Sequence, residues 1–263
     1  MEIQFSKYHG TGNDFVIIDD KANSIELTRE QITHICDRRF GVGADGLMLL
    51  RTKAAYDFEM VYYNSDGNQS TMCGNGGRCI VAYANKLGVV NSKAKFWAID
   101  GEHFANLNND NIALGMIDVD EVNSVNSDFE LFTGSPHYVV FKSENVNNNS
   151  DFVSESKAIR YSANYKNEGI NVNHVYKLDD GSGIVMRTYE RGVEDETFSC
   201  GTGAVAAAIA THKTYDSSSK EYSLKINTPG GKLNVSFNHK NGKYGKIVLS
   251  GPATFVFQGT IEV

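Results

Sequence analysis

The fold is decided by a short motif that occurs twice, as CGNGGRCIVAYA at residues 73–84 and as CGTGAVAAAIA at residues 200–210. In each copy a Cys-Gly-x-Gly turn precedes an apolar run that predicts a helix. A strand pattern leads into each motif, over residues 58–63 and 183–190. A single one-residue insertion aligns strand, loop, turn and helix of the two copies, which indicates a duplicated α/β domain. The duplication predicts two related halves whose helix N-termini face one cleft.

The rest of the chain predicts short strands and turns around these two helices. Residues 3–19 have the pattern strand, glycine-rich turn, strand. A capping-box pattern that begins at Thr28 predicts a short helix as far as Arg38. Residues 89–142 predict short strands separated by turns rich in Asn, Asp and Gly. The polar segment 145–150 predicts an exposed surface turn.

Composition excludes several classes of protein. The 263 residues suffice for one large domain or two ordinary ones. A net charge of −7 without a dense Lys/Arg run argues against nucleic-acid and anionic-membrane partners. No apolar stretch approaches the roughly 18–20 residues of a membrane span, and the N-terminus lacks an apolar signal-peptide core. We therefore expect a cytoplasmic protein.

The four cysteines indicate acid–base chemistry rather than disulfides or metal binding. Cys36, Cys73, Cys79 and Cys200 are too few for a disulfide scaffold, and none are spaced as CxxC. A thiol at a helix N-terminus lies beside unpaired N–H groups and the positive end of the helix dipole, which lowers its pKa. Cys73 and Cys200 occupy matched settings of this kind, so the pair predicts a proton donor and a proton acceptor. Cys36 and Cys79 are predicted to be structural.

Several further motifs, in a fixed order, give the sequence a specific resemblance. They are GTGNDF at 10–15, RFGVGADG at 39–46, NSDG at 64–67, MCGNGGRC at 72–79, TGSPH at 133–137, EGINVN at 168–173 and ERGVEDET at 190–197. Together they make the chain resemble the diaminopimelate epimerase family of cofactor-independent amino-acid epimerases, over nearly its whole length. The resemblance implies an isomerase that interconverts LL- and meso-2,6-diaminopimelate in lysine and peptidoglycan precursor biosynthesis.

The resemblance also implies the architecture. The expected fold class is α/β (α+β), with two pseudo-symmetric domains that each wrap a curved, mostly antiparallel sheet around a central helix. Residues 1–118 with 252–263 form the expected N-terminal domain, which carries Cys73, and residues 119–251 form the C-terminal domain, which carries Cys200. Family members are often dimers, so a homodimer is expected.

Inversion of an amino-acid α-carbon needs a base on one face and an acid on the other. Cys73 and Cys200 suit these roles because one can be thiolate while the other is thiol, and which of them is the resting thiolate stays open. No cofactor or metal is expected to absorb the carbanion charge. Four backbone N–H groups at the helix starts are the candidate ligands of the substrate α-carboxylate: Gly74, Asn75, Gly201 and Thr202.

The remaining candidate residues form an expected specificity clamp for the distal end of diaminopimelate. Arg191 is the partner for the distal carboxylate, because a guanidinium binds carboxylates bidentately. The resemblance adds hydrogen bonds from Asn64 and Asn171, places Asn13 at the site, and lets Glu190 meet an ammonium group.

Two positions depart from the family pattern. Ser135 stands where the family often has Asn, and Gly46 stands where many members have Gln. Serine still donates and accepts a hydrogen bond but is shorter, so Ser135 is retained as a candidate, and Gly46 receives no role. His137, in the same motif as Ser135, is interpreted as a loop or packing histidine.

Four alternatives remain beside this interpretation. A proline or hydroxyproline racemase also uses two cysteines, but its first motif typically continues Cys-Gly-His rather than Cys-Gly-Asn. Phenazine-biosynthesis-type isomerases share the fold and lack the cysteine pair. A phosphate-binding module would need Lys-Ser/Thr after the glycines, and a thiol redox protein would use Cys73 and Cys200 as a switchable disulfide.

Overall fold

The computed structural model describes residues 1–109 and 111–263. The chain divides into two compact units, Met1–Leu114 with Gly251–Val263 and Gly115–Ser250. Each unit is a mixed, mostly antiparallel sheet packed against helices, so the expected sheet-dominated α+β fold is confirmed.

The elements are numbered in chain order. The strands are β1 (Glu2–Gly10), β2 (Asn13–Asp20), β3 (Gly46–Arg51), β4 (Phe58–Asn64), β5 (Gln69–Ser70), β6 (Lys93–Ala98), β7 (Gly101–Asn108), β8 (Asn111–Gly115), β9 (Val122–Val125), β10 (Asp128–Phe132), β11 (Pro136–Phe141), β12 (Asn171–Lys177), β13 (Ile184–Glu190), β14 (Asp195–Thr197), β15 (Glu221–Thr228), β16 (Gly231–Lys240), β17 (Lys243–Pro252) and β18 (Thr254–Glu262). The α-helices are α1 (Arg29–Cys36), α2 (Gly74–Lys86), α3 (Phe152–Arg160) and α4 (Gly201–Tyr215).

The sheet of the first unit has the order β18-β1-β2-β3-β4-β6-β7-β8, with the short β5 also paired to β4. Among the described strands of this unit, β2–β3 and β4–β6 are the parallel pairs, and a helix lies between the two strands of each pair in the sequence. Helix α2 packs against β1, β2, β3 and β7.

The sheet of the second unit repeats this arrangement. Its order is β9-β10-β11-β12-β13-β15-β16-β17, with β14 also paired to β13. The parallel pairs are β11–β12 and β13–β15, each separated in the sequence by a helix, as in the first unit. Helix α4 packs against β10, β11, β12, β13, β15 and β16. The matched topologies agree with the duplication inferred from the two cysteine motifs.

Local sequence signals explain where the predicted elements begin and end. The β1–β2 hairpin turns at Thr11 and Gly12, whose φ angles of 51° and 90° are positive. Helix α1 starts with the full capping box that Thr28 predicts. Helix α4 is apolar on all sides, and its residues 204–210 are completely buried, as expected of a helix enclosed by a sheet.

Two segments differ from the sequence-based expectation. Residues 145–150, expected as an exposed turn, contain a short 3₁₀ helix (Val146–Asn148) with Val146 buried. This segment is tied to β13, because the Arg187 guanidinium donates to the carbonyl oxygens of Val146 and Asn149 at 3.1 and 2.7 Å. Helix α3, which the patterns did not predict, follows directly. In the described part of the chain, none of the helices has the length and apolar character that a membrane span requires.

Candidate active site

Both predicted catalytic cysteines lie at the residue immediately before a helix. Cys73 is the N-cap of α2 and Cys200 is the N-cap of α4, and both have extended backbone conformations. The N–H groups at the start of each helix are therefore directed toward the end that carries the thiol. Five of the candidate residues lie in the first unit and seven lie in the second.

In the first unit, Asn13 joins the thiol to the start of α2. Its Oδ1 lies 3.8 Å from Cys73 Sγ and accepts a hydrogen bond from Asn75 Nδ2 at 3.3 Å. Its Nδ2 donates to Asp45 Oδ2 at 2.6 Å. The hydrogen bonds at both ends fix the orientation of the Asn13 amide, so that its oxygen faces Cys73. Asn13 and Asn75, both predicted from the sequence, thus lie next to the thiol.

A charged cluster holds Asn13 in place. Asp14 pairs with Lys7 at 2.7 Å and with Arg38 at 2.7 Å, and Arg38 also pairs with Asp45. Lys7 is buried and also donates to the carbonyl oxygen of Gly43. Burial alone would raise the pKa of Asp14, but the hydrogen bonds and charges of Arg38 and Lys7 hold it well below its ordinary value.

Asn64 ends β4, where it lies opposite Gly46 of β3 in the sheet register. Its side chain is exposed, and the neighbouring Ser65 N–H donates to the carbonyl oxygen of Asp45. A Cβ on Gly46 would lie 2.6 Å from the ring of Tyr62 and 2.6 Å from the carbonyl oxygen of Tyr63. The space beside Gly46 is thus filled, so a larger residue at position 46 would require Tyr62 and the β3–β4 backbone to move.

In the second unit, Asn171 joins the predicted clamp residues. Its Nδ2 donates to Ser135 Oγ at 2.8 Å and to the Pro136 carbonyl oxygen at 2.9 Å. Its Oδ1 accepts the backbone N–H of Arg191 at 2.9 Å. The exposed Arg191 side chain donates to the carbonyl oxygen of Glu168 at 3.0 Å. Glu190, at the end of β13, is half-buried and precedes Arg191.

The Cys200 thiol accepts hydrogen bonds from its own helix. Its Sγ lies 3.4 Å from the Gly203 N–H and 3.4 Å from Thr202 Oγ1. The Thr202 carbonyl oxygen accepts from Thr133 Oγ1 at 2.8 Å. A backbone N–H and a hydroxyl directed at sulfur favour the thiolate over the thiol.

His137 and Asn173 complete this half and were missed as functional candidates. His137 is fully buried, and burial, with the charge of Arg191, lowers its pKa to about 3, so the ring is neutral. Asn173 Nδ2 lies 3.0 Å from His137 Nδ1 and also donates to the Tyr138 carbonyl oxygen.

The proton of the neutral His137 ring is therefore on Nε2. From there it is donated to Thr202 Oγ1 at 2.9 Å, which leaves the Thr202 hydroxyl hydrogen for Cys200. The interpretation of His137 as a loop or packing histidine did not include this hydrogen bond to Thr202. The sequence signals that could have indicated it are the Pro136-His137 pair and the Asn-x-Asn pattern at residues 171–173.

The other two cysteines have no acid–base role at neutral pH. Burial raises the pKa of Cys36 to about 12 and raises that of Cys79 still further. Within the described residues, no group of three or more His, Cys, Asp or Glu side chains could hold a metal ion.

Comparison with known proteins relates the whole chain to one family. The model of the family described as diaminopimelate epimerase matches residues 5–124 and 129–256. The diaminopimelate epimerase of Flavobacterium psychrophilum is 52% identical, with 97% of this chain and 98% of the relative covered. The diaminopimelate epimerase of Chlorobaculum tepidum is 38% identical, with 97% and 99% covered.

Solved structures share the fold at low identity. A PhzF-family phenazine biosynthesis protein from Bacillus anthracis superposes with a TM-score of 0.77 at 14% identity, over 100% of both chains. A hydroxyproline epimerase from Agrobacterium vitis, solved with bound trans-4-hydroxy-L-proline, gives a TM-score of 0.72 at 13% identity, over 99% of this chain and 92% of that one. At these identities the likeness concerns the fold alone.

Proposed function

Since the chain belongs to the diaminopimelate epimerase family and is an isomerase that interconverts LL- and meso-2,6-diaminopimelate, we propose that Cys73 and Cys200 transfer the proton. One thiolate removes the α-proton, and the thiol of the other cysteine supplies a proton to the opposite face. The two roles exchange with the direction of the reaction. The observation that carries this proposal is that both cysteines are N-cap residues, at the positive end of a helix dipole, where a thiolate is favoured.

The carbanion needs stabilisation, because the α-proton of an amino acid is weakly acidic. Backbone N–H groups of Gly74 and Asn75 in α2, and of Gly201 and Thr202 in α4, bind the α-carboxylate onto which the negative charge moves. Three of these residues are buried and Thr202 is half-buried, so water screens their dipoles weakly. A positioned acid–base group contributes about 10²–10⁴-fold in rate, and this electrostatic stabilisation adds to it.

The distal amino-acid end is held by the clamp. Arg191 binds the distal carboxylate, and Asn171 fixes the backbone of Arg191 through the 2.9 Å hydrogen bond. Asn64 and Asn13 supply further hydrogen bonds, and Glu190 binds an ammonium group. Ser135, which accepts from Asn171 at 2.8 Å, supports the clamp by holding that amide in place.

The test replaces each thiol separately. We expect Cys73→Ser and Cys200→Ser each to abolish formation of meso-diaminopimelate from the LL isomer, because serine is far too weak an acid for the thiolate role. Cys79→Ala is the matched control, since it removes a thiol from α2 whose raised pKa keeps it protonated. Near-normal turnover in either serine variant would rule out the two-thiol mechanism.

We propose further that the enzyme acts in the cytoplasm, in lysine and peptidoglycan precursor biosynthesis, and that it is a homodimer. The family supports these assignments. Size-exclusion chromatography with light scattering tests the last one, and a mass near the 28.9 kDa of one chain would contradict it.

A further inference from the structure

Arg78 is a completely buried cation below the start of α2. Its guanidinium donates to the Gly74 carbonyl oxygen at 3.1 Å and to Asn75 Oδ1 at 3.0 Å. It also donates to Thr11 Oγ1 at 3.4 Å and to the Pro252 carbonyl oxygen at 3.3 Å. All four acceptors are neutral. Across residues 1–109 and 111–263, no carboxylate forms an ion pair with Arg78.

A buried charge is strongly unfavourable unless an opposite charge compensates it. Burial lowers the pKa of Arg78, whereas the thiol groups of Cys79 and Cys73 act in the opposite direction. Cys79 does not supply the anion, because burial raises its pKa far above neutral pH. Cys73 is half-buried and lies immediately before the first residue of the same helix, where the proposed function places a thiolate.

The second copy of the motif has no such cation. Val205 occupies the equivalent position, five residues after Cys200, and it too is completely buried. The two helix starts share the Cys-Gly-x-Gly turn and a cysteine at the N-cap but differ in this one charge. The cation is therefore not required to form the turn and helix.

We propose that Arg78 is a positioning residue that stabilises negative charge at the start of α2, on the Cys73 thiolate and on a carboxylate bound by the N–H groups of Gly74 and Asn75. This inference rests on the proposed function, in which Cys73 acts as a thiolate. Arg78 also orients the site, because a guanidinium only donates. Asn75 must present its oxygen to Arg78, and its Nδ2 then donates to Asn13.

Other charged groups around Cys73 are compensated or weak. Asp14 and Asp45, which hold Asn13, are paired with Lys7 and Arg38. Asp100 accepts hydrogen bonds from the Met72 N–H and from the His103 ring, each at 3.2 Å. The partial negative charge on Asn13 Oδ1 disfavours a thiolate at Cys73, but its 3.8 Å distance from Cys73 Sγ is long for a hydrogen bond. The buried guanidinium is therefore expected to dominate.

The experiment measures the ionisation of each thiol separately in the full chain. Iodoacetamide alkylates three proteins across a pH series: wild type, Arg78→Lys and Arg78→Gln. Mass spectrometry of the peptides then gives the pH midpoint of alkylation for Cys73 and for Cys200. In Arg78→Gln we expect the Cys73 midpoint to rise by about one pH unit or more, which is a tenfold loss of thiolate. Arg78→Lys retains the charge and is expected to keep most of the wild-type value. The Cys200 midpoint should not move in either variant.

Val205→Ala is the matched control, because it alters the packing at the equivalent position without changing a charge. An unmoved Cys73 midpoint in Arg78→Gln, or an equal shift in the Lys and Gln variants, would overturn the inference. If Arg78→Gln does not fold, by circular dichroism, Arg78→Met serves as the neutral variant. If neither neutral variant folds, a Cys73 midpoint in Arg78→Lys that is raised by a full pH unit overturns the inference, and a retained midpoint supports it.

Failure of the proposed function is distinguishable from failure of this inference. An active Cys73→Ser enzyme contradicts the two-thiol mechanism whatever the alkylation shows. An inactive Cys73→Ser enzyme with unmoved midpoints contradicts only the role of Arg78.

Discussion

Gly203→Ala is predicted to lower the stability of the second unit. Gly76→Ala, at the equivalent position of the first unit, is predicted not to lower stability. A Cβ on Gly203 would lie 2.5 Å from Asn173 Oδ1 and 3.3 Å from both Cys200 Cβ and His137 Cε1. Asn173 is fully buried and bonded to three groups, so it has no free direction in which to move. The contact at Gly203 is therefore a clash that the surrounding structure resists.

The expected change in the free energy of unfolding of Gly203→Ala is the sum of three contributions. Overpacking costs about 1–3 kcal/mol. Displacement of Asn173 weakens at least one buried hydrogen bond, at about 1 kcal/mol. Replacement of glycine by alanine in a helix returns about 1 kcal/mol. The net loss for Gly203→Ala is about 2 kcal/mol, and activity should fall because the Gly203 N–H bonds Cys200.

The control isolates the clash from helix propensity. A Cβ on Gly76 would meet Met48 Sδ at 3.4 Å, an ordinary contact, so Gly76→Ala should leave the free energy of unfolding unchanged or raise it by up to about 1 kcal/mol. Urea unfolding followed by circular dichroism measures both variants. Equal stabilities of Gly203→Ala and Gly76→Ala would refute the reasoning.

Three further predictions concern Asp14, Arg191 and Gly46. The pKa of Asp14 is held well below its ordinary value of 3.8, so its stabilisation of the fold is present above that pH and is lost progressively as pH falls from 3.8 toward the lowered pKa of the folded protein. The difference in unfolding free energy between wild type and Asp14→Asn should therefore be smaller at about pH 3 than at pH 6, and an equal difference at both pH values in urea unfolding would contradict this. Arg191→Ala should raise KM for diaminopimelate by at least about tenfold, because a charge-assisted hydrogen bond contributes about 1.5–3 kcal/mol; steady-state kinetics that give an unchanged KM would remove Arg191 from the clamp. Gly46→Ala should lower the free energy of unfolding by about 1–3 kcal/mol, since its Cβ would meet the Tyr63 carbonyl oxygen at 2.6 Å; a urea midpoint equal to that of wild type would show that the β3–β4 pair yields there.

Much of the fold could be predicted because its signals are local. The capping box at Thr28 and the glycine-rich turn of the first hairpin each fix a boundary within a few residues. The duplication indicated two related α/β halves, because strand, cysteine turn and apolar helix recur in one order. The curved, mostly antiparallel sheets were implied by the family resemblance. Helix α3 escaped prediction because only Phe152 and Ser156 are buried in it, which is too sparse an apolar pattern to indicate a helix.

The candidate site could be predicted only in part, because the partners of its residues are distant in the sequence. Motifs place Cys73 and Cys200 next to helix starts without any knowledge of tertiary contacts. The partners of these residues come from distant strands and depend on packing: His137 reaches Thr202, and Arg78 folds back under its own helix start. In sequence, Arg78 is one polar residue in an apolar helix pattern, and nothing local shows that it is buried without a carboxylate.

The most direct test of the central claim is an NMR assay of the reduced protein with LL-diaminopimelate in D₂O, with L-proline in parallel. Two cysteines acting on opposite faces predict that meso product forms with deuterium at the inverted α-carbon, while recovered LL substrate initially keeps its protium and proline is unchanged. Deuterium that enters recovered substrate as fast as product would indicate a single base. Racemisation of proline without exchange in diaminopimelate would contradict the substrate.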